Sequence, residues 1–260
     1  MNDLLILCYH AVSEDWPTEF AVSPRRLRSQ VRFLIRRGYR PATLAAALRQ
    51  APGGKTLVVT FDDAYASVLR KGFPVLAELG VPATVFVPTA YVAGDEALEW
   101  ASMEQWAGTA FADELRCMSW SDLRSLAGAG WEIGSHTSTH PKLTELDDAA
   151  LDLELTSSRA LCEAEIEQPC ETLAYPFSAH DLRVMKRARA AGYEAAVILD
   201  NNLAIPPRSL VRPGERAEMF GLLREGVYRR DGWARMLAKS SPLARRSRAS
   251  RLARIALSGA

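Results

Sequence analysis

Residues 55–87, KTLVVTFDDAYASVLRKGFPVLAELGVPATVFV, decide the fold. Lys55–Phe61 is a β-branched apolar run that reads as a buried strand, and Asp62 and Asp63 follow it directly. Ala64–Leu79 is a helical stretch with a break expected near Gly72-Phe73-Pro74, and Thr84–Val87 is the next strand, ended by Pro88. A strand, a helix and a second strand in so short a span imply a parallel pair joined by a right-handed crossover.

The same rhythm continues on both sides. Upstream, Leu4–Tyr9 reads as a buried strand. Ser23-Pro24 starts a helix, with Ser as N-cap and Pro in the first turn. Leu27, Val31, Leu34 and Ile35 recur at helical spacing until Gly38, and a short strand around Tyr39–Leu44 and a short helix through Leu48 follow. Downstream come a helix at Ser121–Leu126, a strand at Trp131–Ser135 and a long helix at Asp147–Glu167. Strands at Thr172–Tyr175 and Ala195–Leu199 flank a basic helix at Leu182–Ala191. Seven or so such units fit a closed or nearly closed β/α barrel, with an open doubly wound sheet as the alternative. Residues 90–118 break the rhythm. Their Tyr91, Trp100, Trp106 and Phe111 read either as a lid stacking on a ligand or as a surface loop packed on the barrel.

Composition bounds the function classes. In 260 residues, 48% hydrophobic and 24% charged is the balance of an ordinary globular protein of one large domain or two small ones. The N-terminal apolar run, Leu4 to Cys8, is far shorter than a membrane span, and Met1-Asn2-Asp3 lacks a basic leader, so a cytoplasmic or peripheral location is expected. The four cysteines, Cys8, Cys117, Cys162 and Cys170, form no CxxC pair and read as incidental thiols. The net charge of +1 hides an asymmetry: residues 229–260 carry nine basic residues and one acid. The expected division is therefore a β/α barrel at 1–228 and a basic tail at 229–260. The tail reads either as an amphipathic helix on an anionic membrane surface or as a solvated, disordered segment. No nucleic-acid recognition module accompanies the charge.

Two constellations carry chemistry. His136-Thr-Ser-Thr-His140 follows the strand ending at Ser135, and imidazoles four apart on one helical turn can reach a single ion. Asp62 and Asp63 end another strand, where alternation aims neighbouring side chains differently, so that one can bind metal while the other works as a base. Alone, an acidic pair there is more often a helix cap. Together, one carboxylate and two imidazoles at the C-terminal ends of parallel strands make a three-ligand set with open positions, the pattern of a catalytic metal site.

TFDD followed by HTSTH resembles the first two motifs of the polysaccharide deacetylases, the NodB-like carbohydrate esterases, over residues from about Leu5 to Phe220. The resemblance implies a distorted (β/α)7 barrel, here with a basic C-terminal helical tail. It implies Asp62 as general base and Asp63, His136 and His140 as ligands of a divalent metal, usually zinc, with cobalt, nickel or iron also suited. Ala174-Tyr175-Pro176-Phe177-Ser178 is similar to the family's Tyr-Pro-aromatic-Gly variant, with Ser178 in place of Gly. It implies Tyr175 and Phe177 at the oxyanion or substrate, the latter through its backbone N–H. The Arg that normally holds the catalytic Asp is absent from that motif, and Arg212 reads either as its replacement or as a surface residue. No histidine follows His180, so the late general-acid His of most members is missing. Tyr9-His10 matches the early Tyr-His of an exopolysaccharide-type subgroup, which implies His10 as the acid and leaves His180 as a surface residue. The implied activity is hydrolysis of an N-acyl group, foremost acetyl, on an amino sugar of a polysaccharide or lipid-linked precursor. Deformylation of a lipid-linked amino sugar and a non-catalytic carbohydrate-binding barrel are the alternatives.

Overall fold

The computed structural model describes residues 3–49, 54–92, 97–98, 100, 103–199 and 219–241. The strands are β1 (Asp3–Tyr9), β2 (Ala11–Val12), β3 (Ala21–Val22), β4 (Arg40–Ala42), β5 (Lys55–Phe61), β6 (Thr84–Val87), β7 (Glu132–Ser135), β8 (Thr172–Ala174), β9 (Ala195–Leu199) and β10 (Leu222–Gly226). The helices are α1 (Pro24–Arg36), α2 (Leu44–Arg49), α3 (Phe73–Glu78), α4 (Trp120–Gly128), α5 (Asp148–Ile166), α6 (Leu182–Ala190) and α7 (Trp233–Ser240).

Parallel strands run in the order β1, β10, β9, β8, β7, β6, β5, and β5 returns to β1 over the full register from Asp3 opposite Lys55 to Tyr9 opposite Phe61. That last pairing closes a seven-stranded barrel and excludes the open sheet. Short β4 pairs with β5 at Thr56–Val58, on the edge that β6 takes over at Thr60. No helix among the described residues is long and apolar enough to cross a membrane.

Strand alternation sorts side chains between two cores. Leu5, Leu7, Tyr9, Leu57, Val59 and Phe61 point outward into the layer covered by helices. Ile6, Val58, Phe86, Ala174 and Val197 fill the barrel interior. The interior column of β5 therefore continues from Val58 through Thr60 to Asp62, which stands at the C-terminal mouth. Gly134 is in the interior because a Cβ there would meet the Phe86 ring and Thr172 Oγ1 at 2.7 Å. Gly134→Ala is expected to destabilise the barrel by roughly 1–3 kcal/mol through overpacking. A lowered urea midpoint at unchanged slope is the measurement that checks it.

The helices follow their sequence signals. The Ser23 hydroxyl accepts from Arg26 N at the start of α1, which buries Leu27, Gln30, Val31 and Leu34. The break expected near Pro74 is a π-helical turn at Val68–Gly72 in which Phe73 N bonds to Val68 O. Pro74 then opens α3, where its missing N–H leaves no gap.

The described residues of segment 90–118 include several packed on the barrel. Leu98, Met103 and Leu115 are buried. Trp106 packs edge-on against Trp16 and Phe111, and Tyr91 against Trp100. Residues 229–241 also pack onto the barrel. Arg229 Nη2 donates to Glu14 O, buried Asp231 pairs with Arg235 and Lys239, and α7 buries Met236. The basic stretch at 242–260 lies outside the described residues.

Candidate active site and metal centre

The C-terminal ends of the strands form a cavity of about 210 Å³. His10, Asp62, Asp63, His136, His140, Tyr175 and Phe177 all line it, although the sequence separates them by up to 167 positions. Arg212 lies outside the described residues. The arginine that reaches Asp62 is Arg224, from the middle of β10, and the sequence reading did not single it out.

Arg224 and Asp62 form a buried fork-to-fork pair. Nη1 donates to Oδ1 at 2.6 Å and Nη2 to Oδ2 at 2.7 Å. Nη1 also donates to Thr60 Oγ1, and the guanidinium lies 5.4 Å from the Phe86 ring centre. Planar bidentate pairing is the geometry Arg provides and Lys cannot. Burial works to raise the Asp62 pKa, but the Arg224 charge, helped by His136, overrides it and holds the carboxyl well below the usual range. Cys8, the interior residue of β1 beside Asp62, adds an Sγ–H donor to Oδ2 at 3.4 Å. His10 completes this side: its ring, the Cys8 thiol and an Asp62 oxygen lie within 4.8 Å of one another.

Asp63 would continue outward if β5 ran on. Its φ of 67° turns the chain and brings the carboxylate back to the mouth. Asp63 Oδ1 stands 3.4 Å from both His136 Nε2 and His140 Nε2. Burial pushes the Asp63 pKa up, but the two imidazoles facing it hold it below its ordinary value. His136 donates from Nδ1 to Ala174 O at 2.7 Å, which fixes the ring with Nε2 directed toward Asp63.

The two histidines do not share a helical turn, contrary to the expectation from their spacing. Residues 136–140 form an irregular loop with Thr137 at φ 67° and His140 at φ 60°. Main-chain bonds from His136 N to Val87 O and from Thr89 N to Thr137 O tie the loop to the end of β6. Glu154 on α5 accepts from Ser138 N, Thr139 N and Thr139 Oγ1. The loop thus has its own scaffold, and the ring meeting comes from left-handed residues. Asp63, Ala64, Thr137, His140, Phe177 and Ser178 all have positive φ and all sit at this mouth, where backbone strain is held by surrounding bonds.

Tyr175 contributes a wall. Its hydroxyl donates to Phe220 O at 3.1 Å. Phe177 projects its ring edge-on against His140, 4.8 Å between centres. Ser178 occupies a left-handed position that explains why glycine suits this motif, and its Oγ accepts from Leu199 N at 2.7 Å. His180, read as a surface residue, is buried and stacked on Tyr175, with Nδ1 bonded to Ser178 O. Of the aromatic residues in segment 90–118, Trp100 reaches the cavity, which Phe20, Met103, Leu199 and Tyr228 also line.

Asp63, His136 and His140 fit a metal ion. Their ligand atoms lie within 4.8 Å of one another, and Asp63 Oδ1 is buried with no hydrogen-bond partner among the described residues. Ligand atoms on a tetrahedral ion with ~2.0–2.1 Å bonds stand about 3.3 Å apart. The 3.4 Å contacts match that spacing. Arg224 donates to both oxygens of Asp62, which sets that carboxylate apart from the Asp63 group.

Comparison with known proteins agrees with the barrel. The polysaccharide deacetylase family matches residues 49–196. YxkH of Bacillus subtilis (strain 168), which carries the same family's name, is 24% identical over 236 residues, covering 86% of this chain and 77% of its own. The poly-β-1,6-N-acetyl-D-glucosamine N-deacetylase of Escherichia coli (strain K12) is 29% identical over 154 residues, and the match spans 52% of this chain but only 21% of that longer protein. Among solved structures, BC0361, a polysaccharide deacetylase from Bacillus cereus, superimposes with a TM-score of 0.73 at 21% identity, covering 92% of this chain and 69% of that one. A barrel closed by β1–β5 pairing, TFDD and HTSTH at the ends of its strands, and a family match over more than half the sequence place the chain in the polysaccharide deacetylase family of carbohydrate N-deacetylases.

Proposed function

We propose that this protein hydrolyses the N-acetyl amide of an amino sugar in a polysaccharide, using a divalent ion, zinc foremost, held by Asp63, His136 and His140. The observation that carries the reading is Asp63 Oδ1: buried, without a hydrogen-bond partner among the described residues and facing two imidazole nitrogens, while the neighbouring carboxylate is paired with Arg224. When bound, such an ion supplies Lewis acidity to an amide oxygen and to the attacking water. Asp62, kept ionised by Arg224, accepts the water's proton on lone pairs the guanidinium leaves free. His10, beside Asp62 at the end of β1, gives a proton to the leaving nitrogen. The C–N bond then breaks, and the products are acetate and a free amine. The aromatic walls suit a sugar ring, whose C–H faces stack on such surfaces. A β-1,6-linked N-acetylglucosamine oligomer is the first substrate to try, because the Escherichia coli relative is named for that polymer.

The test measures acetate and new amine from that oligomer after chelation and after adding back zinc, cobalt, nickel or iron(II) in turn. Equal acetate and amine, abolished by chelator and restored by metal, is the expected result. Formate from an N-formyl analogue with no acetate from the natural oligomer moves the assignment to deformylation. Saturable sugar binding without acetate under every metal overturns it in favour of a non-catalytic barrel.

A further inference from the structure

His136 and His140 face the same Asp63 oxygen but are held by different forces. A metal-binding histidine ordinarily donates its second ring N–H to a carboxylate or carbonyl, which fixes both tautomer and ring plane. His136 does so through Ala174 O. His140 does not: its Nδ1 is buried and has no hydrogen-bond partner among the described residues. Its ring lies against the Trp100 indole instead, 3.9 Å between centres and 19° from parallel. Phe177 meets it edge-on at 4.8 Å and His136 at 4.7 Å. Trp100 is itself braced edge-on by Tyr91.

We propose that Trp100 is a positioning residue for the metal centre: its flat face sets the plane of His140 where a hydrogen-bond acceptor is missing, so that Nε2 points at the ion. The inference rests on the metal-dependent reading above. A planar ring can do this because stacking fixes orientation as well as distance, which a branched or linear side chain cannot reproduce. Supporting groups of this kind typically change metal affinity by ~10–100-fold when removed.

The test measures the zinc dissociation constant by chelator competition, with no sugar present, for wild type, Trp100→Phe, Trp100→Leu and Trp100→Met. Far-UV spectra and melting curves confirm that each variant is folded. Trp100→Met covers the case in which Trp100→Leu does not fold, since it fills volume without offering a ring face. Expected is a loss of at least ~10-fold in Leu and Met and near wild-type affinity in Phe. Leu or Met variants that bind zinc as tightly as wild type overturn the inference and leave Trp100 as a wall of the sugar cavity, visible only in KM. A wild-type protein with no saturable zinc binding overturns the metal-dependent reading itself and this inference with it.

Discussion

Arg224→Met is expected to lower deacetylation by at least ~100-fold and to remove several kcal/mol of stability, on the order of 3–5. The guanidinium is 1% exposed and the Asp62 side chain 4%. Removing one partner of such a pair leaves the other charge buried with little water to solvate it. Asp62 can relieve that by taking a proton, because burial pushes its pKa up and Arg224 is the main force pulling it down. A protonated Asp62 has no basicity to offer water, so loss of turnover follows from the same event as loss of stability.

The pH dependence gives the sign. In the wild type the folded pKa of Asp62 lies below the unfolded value of ~3.9, so the pair's stabilisation is present above that pH and is lost as pH falls through the folded value. In Arg224→Met, burial no longer opposed by the guanidinium is expected to lift the folded pKa above it, and stability should then fall as pH rises. The difference in urea-unfolding free energy between the two proteins should therefore be largest at neutral pH and shrink toward pH ~4. Asp62→Asn/Arg224→Met should regain part of the stability and none of the activity, since it removes the stranded charge and the base together. Near wild-type stability and turnover in Arg224→Met would sink the idea that this pair organises the mouth.

Arg224 also shows where the sequence stops being legible. TFDD, HTSTH and Tyr175-Pro-Phe177 are local signals, each at the end of a strand whose apolar run is plain. The barrel follows from their alternation with helices. β10 reads Leu-Leu-Arg-Glu-Gly, and an arginine in a short strand looks like a solvent-facing residue. It faces inward because strand alternation places it above Leu222 in the barrel interior. It can be buried there because Asp62, 162 positions away, neutralises it. That pairing is a property of barrel closure, which no local window contains. The spacing of His136 and His140 suggested that the two rings meet but misread the backbone that brings them together, because left-handed residues such as Thr137 carry no compositional mark. The aromatics of segment 90–118 were legible as a group and not individually. Trp106 and Phe111 pack on the barrel, while Trp100, in the same stretch, meets His140.

Asp62→Asn and Asp63→Asn are expected to fail in different ways although the residues are adjacent. Asp63 Oδ1 faces two imidazole nitrogens and has no hydrogen-bond partner among the described residues, so its negative charge is what would attract a cation there. An amide of the same shape offers a weaker neutral oxygen, and its NH2 group is repelled by an ion. Asp63→Asn should therefore lose bound zinc and acetate release together. Asp62 is turned toward Arg224 and His10, so Asp62→Asn leaves the Asp63, His136 and His140 atoms in place. It should retain about one zinc per chain while turnover falls by ~10²–10⁴-fold, the usual contribution of a positioned base. It should also lose stability, because an amide NH2 set against Arg224 is donor against donor. Metal content measured after gel filtration separates the two variants without any substrate. If Asp62→Asn lost its zinc as readily as Asp63→Asn, the two carboxylates would form one ligand set, and the division of labour between β5's inward and turned-back side chains would be wrong. If Asp62→Asn kept full activity, the proton would have to go elsewhere, and His10, beside Asp62 in this cavity, is a group able to receive it.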